Sequence, residues 1–191
     1  MTAFDWAKSR DYGAARDAAI LDLAAKFRFV QVEDIADLCC GGRARVARAR
    51  LLALHRRGRL QRFALGSFEP YIYTPGRRSQ KARHGLTVLR AYRALRGALP
   101  TGWRITAFDP EYELWAGDRR RVVADALVVL DNEMAKRRRR AVFLEVNLDP
   151  VFDQAGGYAE LLATRALRKT WWWRDGVEVM LAVATIRPDY V

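Results

Sequence analysis

Cysteine and histidine are scarce in this chain. Its 191 residues include two cysteines, Cys39 and Cys40, and two histidines, His55 and His84. Adjacent cysteines are poorly placed to bridge each other, and no metal-binding spacing such as CxxC occurs. A disulfide framework and a structural zinc site are therefore excluded. Cys39 and Cys40 read as small buried side chains at a helix end. No apolar run is long enough to span a bilayer, and no leader-like segment opens the sequence. The expectation is a cytoplasmic protein with no membrane partner. Lysine is scarce as well: most of the 34 basic side chains are arginine. Acid is short of base, 22 residues against 34, and the formal net charge is +12. What is plentiful is apolar material. With 51% hydrophobic residues the chain has enough to bury a packed core, so wholesale disorder is not expected.

The positive charge is spread evenly. Residues 1–77 carry 14 basic and 8 acidic side chains and residues 78–191 carry 20 and 14, so each part is +6. A polyanionic partner suits both, and arginine favours phosphate and guanine contacts. The densest stretch is 41–62, GGRARVARARLLALHRRGRLQR, with eight arginines and no acid. Val46, Leu51, Leu52 and Leu54 supply an apolar side at helical spacing. Arg43, Arg45, Arg48 and Arg50 crowd the early turns, where a helix entering a major groove meets phosphates and base edges. Gly58 stops the helix.

The surrounding pattern fits that reading. Residues 1–12 suggest an arm or short helix with Phe4 and Trp6. Residues 14–27 follow the helix template, residues 29–32 are short and extended, and residues 33–38 form a second short helix. Gly41-Gly42 makes a turn before the arginine helix. Residues 59–64 and 71–74 read as a hairpin turning near residues 65–67, closed by Pro75-Gly76. This order predicts a winged helix-turn-helix over residues 1–77. In it Arg43, Arg45 and Arg48 contact bases or phosphates, while Arg50, Arg56, Arg57 and Arg62 neutralise phosphate. Arg77 and Arg78 stand where they could extend the wing contact.

Residues 78–191 read as a second, α/β part, giving an α+β chain overall. A helix is expected over residues 86–99. Strands follow over 103–108, 122–130, 141–148 and 177–186, with 111–115 a further strand or turn and a helix over 156–169. Asp125 sits inside an apolar strand, VVADALVVL, where a lone carboxylate is costly. Strand alternation places Glu145, Asn147 and Asp149 on one face of the next strand. If those strands are neighbours, Asp125 and Glu145 converge and can hold Mg²⁺ or Mn²⁺ beside a phosphodiester. The arrangement resembles the restriction-endonuclease-like, PD-(D/E)xK, core. Ala124-Asp125 stands where that family has Pro-Asp, and Glu145-Val146-Asn147 where it has Glu-x-Lys. The resemblance implies catalytic roles for Asp125, Glu145 and the Asn147 position, with metal on Asp125 and Glu145. Asn147 cannot activate water as the family's lysine does. Lys169 or Arg168 is the candidate substitute.

Most of the chain from residue 14 onward also resembles the replication-relaxation proteins of plasmids and mobile elements. The residues that carry this are AAILDLAAKFRFVQVEDIADL, ARVARARLLALHRRGRLQR and YIYTPG. Arg83-His84-Gly85-Leu86, Trp103, Glu111, Glu113, Ala124-Asp125-Ala126-Leu127 and Phe143-Leu144-Glu145-Val146-Asn147 continue it. The family typically has Pro where Ala124 stands and Asp where Asn147 stands. The resemblance implies a protein that binds double-stranded DNA in replication, relaxation or mobilisation.

The remaining motifs have quieter readings. His84 suits packing or capping, and His55 a core or phosphate contact. Residues 136–140, KRRRR, read as a turn between strands that could clamp phosphate. Trp171, Trp172 and Trp173 read as packing residues and one candidate surface for a homodimer. Taken together, the sequence points to a DNA binder that needs no cofactor and carries a degenerate nuclease-like domain. The alternatives are a Mg²⁺- or Mn²⁺-dependent endonuclease using Asp125 and Glu145, and a module whose basic faces meet an acidic protein.

Overall fold

A computed structural model describes residues 12–116, 120–134, 138–147, 155–163, 167–168, 170–173 and 177–185. They form five helices, a four-stranded mixed sheet and a two-stranded sheet, an α+β architecture. The chain divides into two compact units, Met1–Arg93 and Ala94–Val191. The division falls inside a helix rather than at Arg77. The proposed arm with Phe4 and Trp6 lies outside the described residues.

The first unit opens with α1 (Tyr12–Phe27), α2 (Val32–Cys39) and α3 (Ala44–Arg56). Arg28 takes a positive φ of 65° after α1, and the Phe29 N–H turns back to the Phe27 carbonyl at 2.7 Å. Between α2 and α3, Gly41 and Gly42 sit at φ 58° and 79°, a conformation that side chains disfavour. Gly58, at φ 69°, ends α3, while Arg59 N–H returns to the Leu54 carbonyl at 2.9 Å. The buried side of α3 is Ala47, Leu51 and Leu54, with Val46 and Leu52 only half-buried. The chain then forms β1 (Gln61–Phe63) and β2 (Ile72–Thr74), paired antiparallel from Gln61↔Thr74 to Phe63↔Ile72. Val30 adds a bridge to Tyr73, with reciprocal N–H···O bonds of 3.0 and 2.9 Å. The extended stretch before α2 therefore serves as a third, minimal strand.

Helix α4 (Ala82–Gly97) starts earlier than its apolar spacing suggests. Its first turns, Ala82 and Leu86, pack with Phe29 and Ile72, and Phe63 and Leu65 lean on the cluster. Polar contacts fix the same helix to α2. Arg93 reaches Asp34 and Asp37 at 2.9 Å each, and Arg90 donates to Gln31 Oε1 at 3.1 Å. Asp34 also accepts the Gln31 N–H at 2.8 Å at the start of α2. Burial still pushes the Asp34 carboxyl above its usual range, against the pull of Gln31 and Arg93. Cys39 and Cys40 are free and buried, and burial raises the Cys40 thiol against the pull of Arg16, Arg43 and Arg50.

The second unit is built on β3 (Trp103–Ala116), β4 (Arg120–Asn132), β5 (Arg139–Asn147), α5 (Ala155–Ala163) and β6 (Glu178–Thr185). The sheet order is β3-β4-β5-β6, antiparallel until the last pair, β5 and β6, which run parallel with α5 between them in sequence. The two segments expected over 103–108 and 111–115 are one strand. Pro110 lies within it and stands opposite Ala126. An edge strand tolerates a proline that a central strand would not. Side chains on both faces of β4 and β5 are buried, which explains their near-continuous apolar runs. One core cluster joins Leu114, Ala124, Leu127, Val129 and Phe143 to Tyr158 and Leu161 of α5. Gly157 lets α5 come close, because a Cβ there would lie 2.9 Å from Val122 Cγ2.

The tryptophan run divides by environment. Trp172 is fully buried, its Nε1 donates to Tyr112 Oη at 3.1 Å, and its ring meets Phe143 edge-on at 5.8 Å. Trp173 is partly buried, and Trp171 is 60% exposed. The basic run over 136–140 is corrected in part. Arg139 and Arg140 belong to β5 rather than to a turn. Arg139 holds Asp131 through bonds of 2.7 and 2.8 Å. Arg140 meets Glu178 at 2.6 Å and covers the Trp103 ring at 4.5 Å. Arg138 is exposed, and Lys136 and Arg137 lie outside the described residues.

Candidate nucleic-acid interface and carboxylate cluster

The arginines of α3 fall into two sets. Arg45 and Arg56 are exposed on the side opposite Ala47, Leu51 and Leu54, and Arg48 is exposed on the flank next to them. The ion pairs among the described residues leave these three untouched. Arg43 precedes the first turn, exposed, with its Nε on the Cys40 carbonyl at 3.1 Å. Arg50 departs from its expected phosphate role. Its Nε donates to Asp17 Oδ1 at 2.7 Å, its Nη2 to Asp17 Oδ2 and, at 3.1 Å, to the Gly13 carbonyl. A guanidinium held by a buried carboxylate has few donors left for DNA. Arg57 is intermediate, 3.5 Å from Asp17 yet with a largely exposed side chain. The hairpin adds Arg62, exposed and stacked 4.3 Å above the Tyr71 ring, and Arg78, which lies 5.7 Å from the Phe63 ring. His55 is half-buried, its Nδ1 3.0 Å from the Leu60 backbone carbonyl. His84, half-buried on α4, also has an interaction partner.

In the second unit the two singled-out carboxylates lie on neighbouring central strands. The β4–β5 ladder runs from Asp131↔Arg139 to Ala126↔Leu144. One step further, the Asp125 side chain accepts the Val146 N–H through Oδ2 at 2.6 Å. The strand is irregular here. Opposite Asp125, Glu111 takes a positive φ of 52°, and the core side of β4 changes from Val122 and Ala124 to Leu127 and Val129. Such irregularities re-aim side chains. Glu145, only 5% exposed, accepts a short hydrogen bond from the Tyr158 hydroxyl. Tyr158 is shifted far above the ordinary tyrosine range. Burial is the main cause, followed by the hydrogen bond to Glu145 and the negative charges of Glu145 and Asp125. Glu145 touches the phenol, and Asp125 acts on it through charge alone.

The other expected members are described only in part. Asn147 ends β5, paired with Thr185, and only its backbone is described. Asp149 and Lys169 lie outside the described residues. Helix α5 is described to Ala163, and Arg168 sits exposed in a short helical turn. Among the described residues no group of three His, Cys, Asp or Glu side chains is gathered as metal ligands. Sequence reasoning missed two residues. Asp17 was one acid in an alanine-rich helix, and its partner lies 33 positions away. Tyr158 falls in the stretch expected as a helix over 156–169, where a tyrosine following Gly156-Gly157 is a polar group beside a close-packed helix start. Comparison with protein-family models, with curated proteins and with solved structures finds no match for this chain.

Proposed function

We propose that this protein binds double-stranded DNA on behalf of a plasmid or mobile element, in replication or relaxation, in mobilisation, or in the transcriptional control of either. The observation that carries DNA binding is the exposed set of Arg45, Arg48 and Arg56 on α3, whose other side is buried. A rod with guanidinium groups along one side suits a groove walled by phosphate. The order α1, α2, glycine turn, α3 and hairpin, with Val30 bridged to Tyr73, supports a winged helix-turn-helix reading of the first unit. The sheet order β3-β4-β5-β6, with α5 before a parallel last strand, supports an endonuclease-like reading of the second. The biological process is taken from the replication-relaxation resemblance alone.

DNA binding in this reading requires no cofactor. A homodimer reading two half-sites belongs to the same proposal, with exposed Trp171 as one contact. No helix among the described residues is long and apolar enough to cross a membrane. The test is electrophoretic shift of duplex DNA across a salt series. Binding should weaken steeply as salt rises. No shift at low salt would favour a module for an acidic protein partner.

The placement of Asp125 and Glu145 on neighbouring strands, with Asp125 bonded to the Val146 N–H next to Glu145, favours a second reading, a Mg²⁺- or Mn²⁺-dependent endonuclease. Carboxylate oxygens are the hard donors these ions take. Each carboxylate, however, already gives an oxygen to an internal donor, and the neutral Asn147 stands where the nuclease family has lysine. Binding without efficient cleavage is therefore preferred. Plasmid cleavage with either ion, lost in Asp125→Ala and in Glu145→Ala, would reverse the preference.

A further inference from the structure

Phe68 is the most exposed large apolar side chain in the described part of the protein, at 102% of its reference surface. It sits in the turn between β1 and β2, and the turn is held in shape. The Glu69 N–H bonds the Gly66 carbonyl at 3.2 Å, and the Glu69 carboxylate meets Arg83 at 3.0 Å. Leu65, three residues earlier, turns inward against the cluster of Phe29, Ile72, Ala82 and Leu86. The turn therefore has an apolar anchor on its inner side and presents Phe68 outward. Presentation of this kind removes part of the ordering cost of an insertion.

The surroundings of Phe68 indicate what it meets. A protein-docking hot spot would be ringed by further apolar surface. Here the neighbours Ser67, Glu69 and Pro70 are exposed and not large apolar groups. The next exposed aromatic, Tyr71, is capped by the Arg62 guanidinium at 4.3 Å. Arg77 and Arg78 are exposed beyond β2, and the one acid between β1 and β2, Glu69, is paired with Arg83. An exposed aromatic on a hairpin that carries Arg62 on β1, with Arg77 and Arg78 following β2, matches proteins that unstack a base step from the minor groove while their cations hold the flanking phosphates.

The geometry points to the hairpin turn as a DNA-kinking wedge: Phe68 enters a base step in the minor groove of duplex DNA, with Arg62 and Arg78 against the phosphates beside it. This rests on the duplex-binding reading of α3, and it adds a deformation of the DNA that α3 alone does not require.

The test uses the full-length protein with duplexes carrying 2-aminopurine at successive positions and a fluorophore pair at the ends. Wild-type protein should raise 2-aminopurine fluorescence at one step and shorten the end-to-end distance, corresponding to a bend of about 20–90°. Phe68→Ala should still shift the duplex, with affinity reduced less than tenfold, but lose both signals. Phe68→Leu, which keeps an apolar wedge, should retain part of each. A wild-type shift with straight DNA and no 2-aminopurine response overturns the wedge and leaves duplex binding standing. Signals unchanged in Phe68→Ala overturn it as well. Absence of any wild-type shift at low salt overturns both the wedge and the reading beneath it.

Discussion

Arg50 and Asp17 join α3 to α1 through two guanidinium–carboxylate hydrogen bonds, and the Gly13 carbonyl takes a third donation from the same guanidinium. Both side chains are largely withdrawn from water, with 27% and 12% exposure. Removing Asp17 strands Arg50 in a poorly solvated place, and removing Arg50 leaves Asp17 only the more distant Arg57, at 3.5 Å. Arg50→Ala and Asp17→Ala should each lower unfolding free energy by about 1–3 kcal/mol, the range for losing a charged hydrogen-bond partner. The double variant should cost less than the two singles summed. Urea denaturation measures this. Losses that simply add would show that the two groups do not act on each other.

Arg45 and Arg48 should behave in the opposite way. Both are exposed, so Arg45→Ala and Arg48→Ala should leave stability within about 0.5 kcal/mol of the parent. Each should weaken duplex binding. A residue that reads a base costs about 1–3 kcal/mol and relaxes preference at one position, whereas a phosphate contact lowers the salt slope by about 1. Competition binding over a salt series separates the two roles. Unaltered affinity in both variants would remove α3 as the binding element.

Gly85 offers a packing test in the first unit. Alanine is normally better than glycine inside a helix by about 1 kcal/mol. Here a Cβ would stand 2.8 Å from Phe29 Cδ2, inside contact distance of a buried ring. Overpacking of this kind costs about 1–3 kcal/mol, so Gly85→Ala should lower the thermal midpoint. Gly97, on the same helix, would meet nothing within 4 Å, and Gly97→Ala should be neutral or stabilising. A rise in stability for Gly85→Ala would show that Phe29 moves aside freely.

What could be read from the sequence depended on the range of the interaction. Helix α3 was legible because its apolar spacing, its arginines and its glycine stop all lie within a few residues of one another. The hairpin and strands β4 and β5 were legible for the same reason. Their apolar runs are bounded locally, and Val30 was recognisable as extended although its partner Tyr73 was not. The Arg50–Asp17 pair was hidden, because nothing in a run of arginines marks which one is spoken for from another helix. Arg139 and Arg140 looked like loop cations until Asp131 and Glu178 supplied partners from neighbouring strands. Strict alternation could place Glu145 on a face but could not foresee the irregularity at Asp125, where the strand changes its core side opposite Glu111. The role of the Tyr158 hydroxyl was hidden likewise, because nothing local marks Glu145, on another element, as its partner.

That hydroxyl makes a prediction with a definite sign. Tyr158 donates to the buried Glu145, and burial together with the charges of Glu145 and Asp125 raises its pKa above the ordinary value of about 10. At neutral pH the tyrosine is protonated in both folded and unfolded chains, so the whole contribution of the hydrogen bond is present. Tyr158→Phe removes the donor from a carboxylate that is 5% exposed. It should therefore cost about 1–3 kcal/mol at neutral pH. Above about pH 10 the unfolded tyrosine releases its proton while the folded one keeps it. The native state then binds more protons than the unfolded state, and stability must fall as pH rises. Tyr158→Phe lacks this group, so its alkaline decline should be shallower and the gap between the two proteins should narrow. Urea midpoints at neutral and alkaline pH, compared between parent and variant, measure the difference. Parallel declines would mean that Tyr158 titrates alike in both states and that its hydroxyl is not held by Glu145.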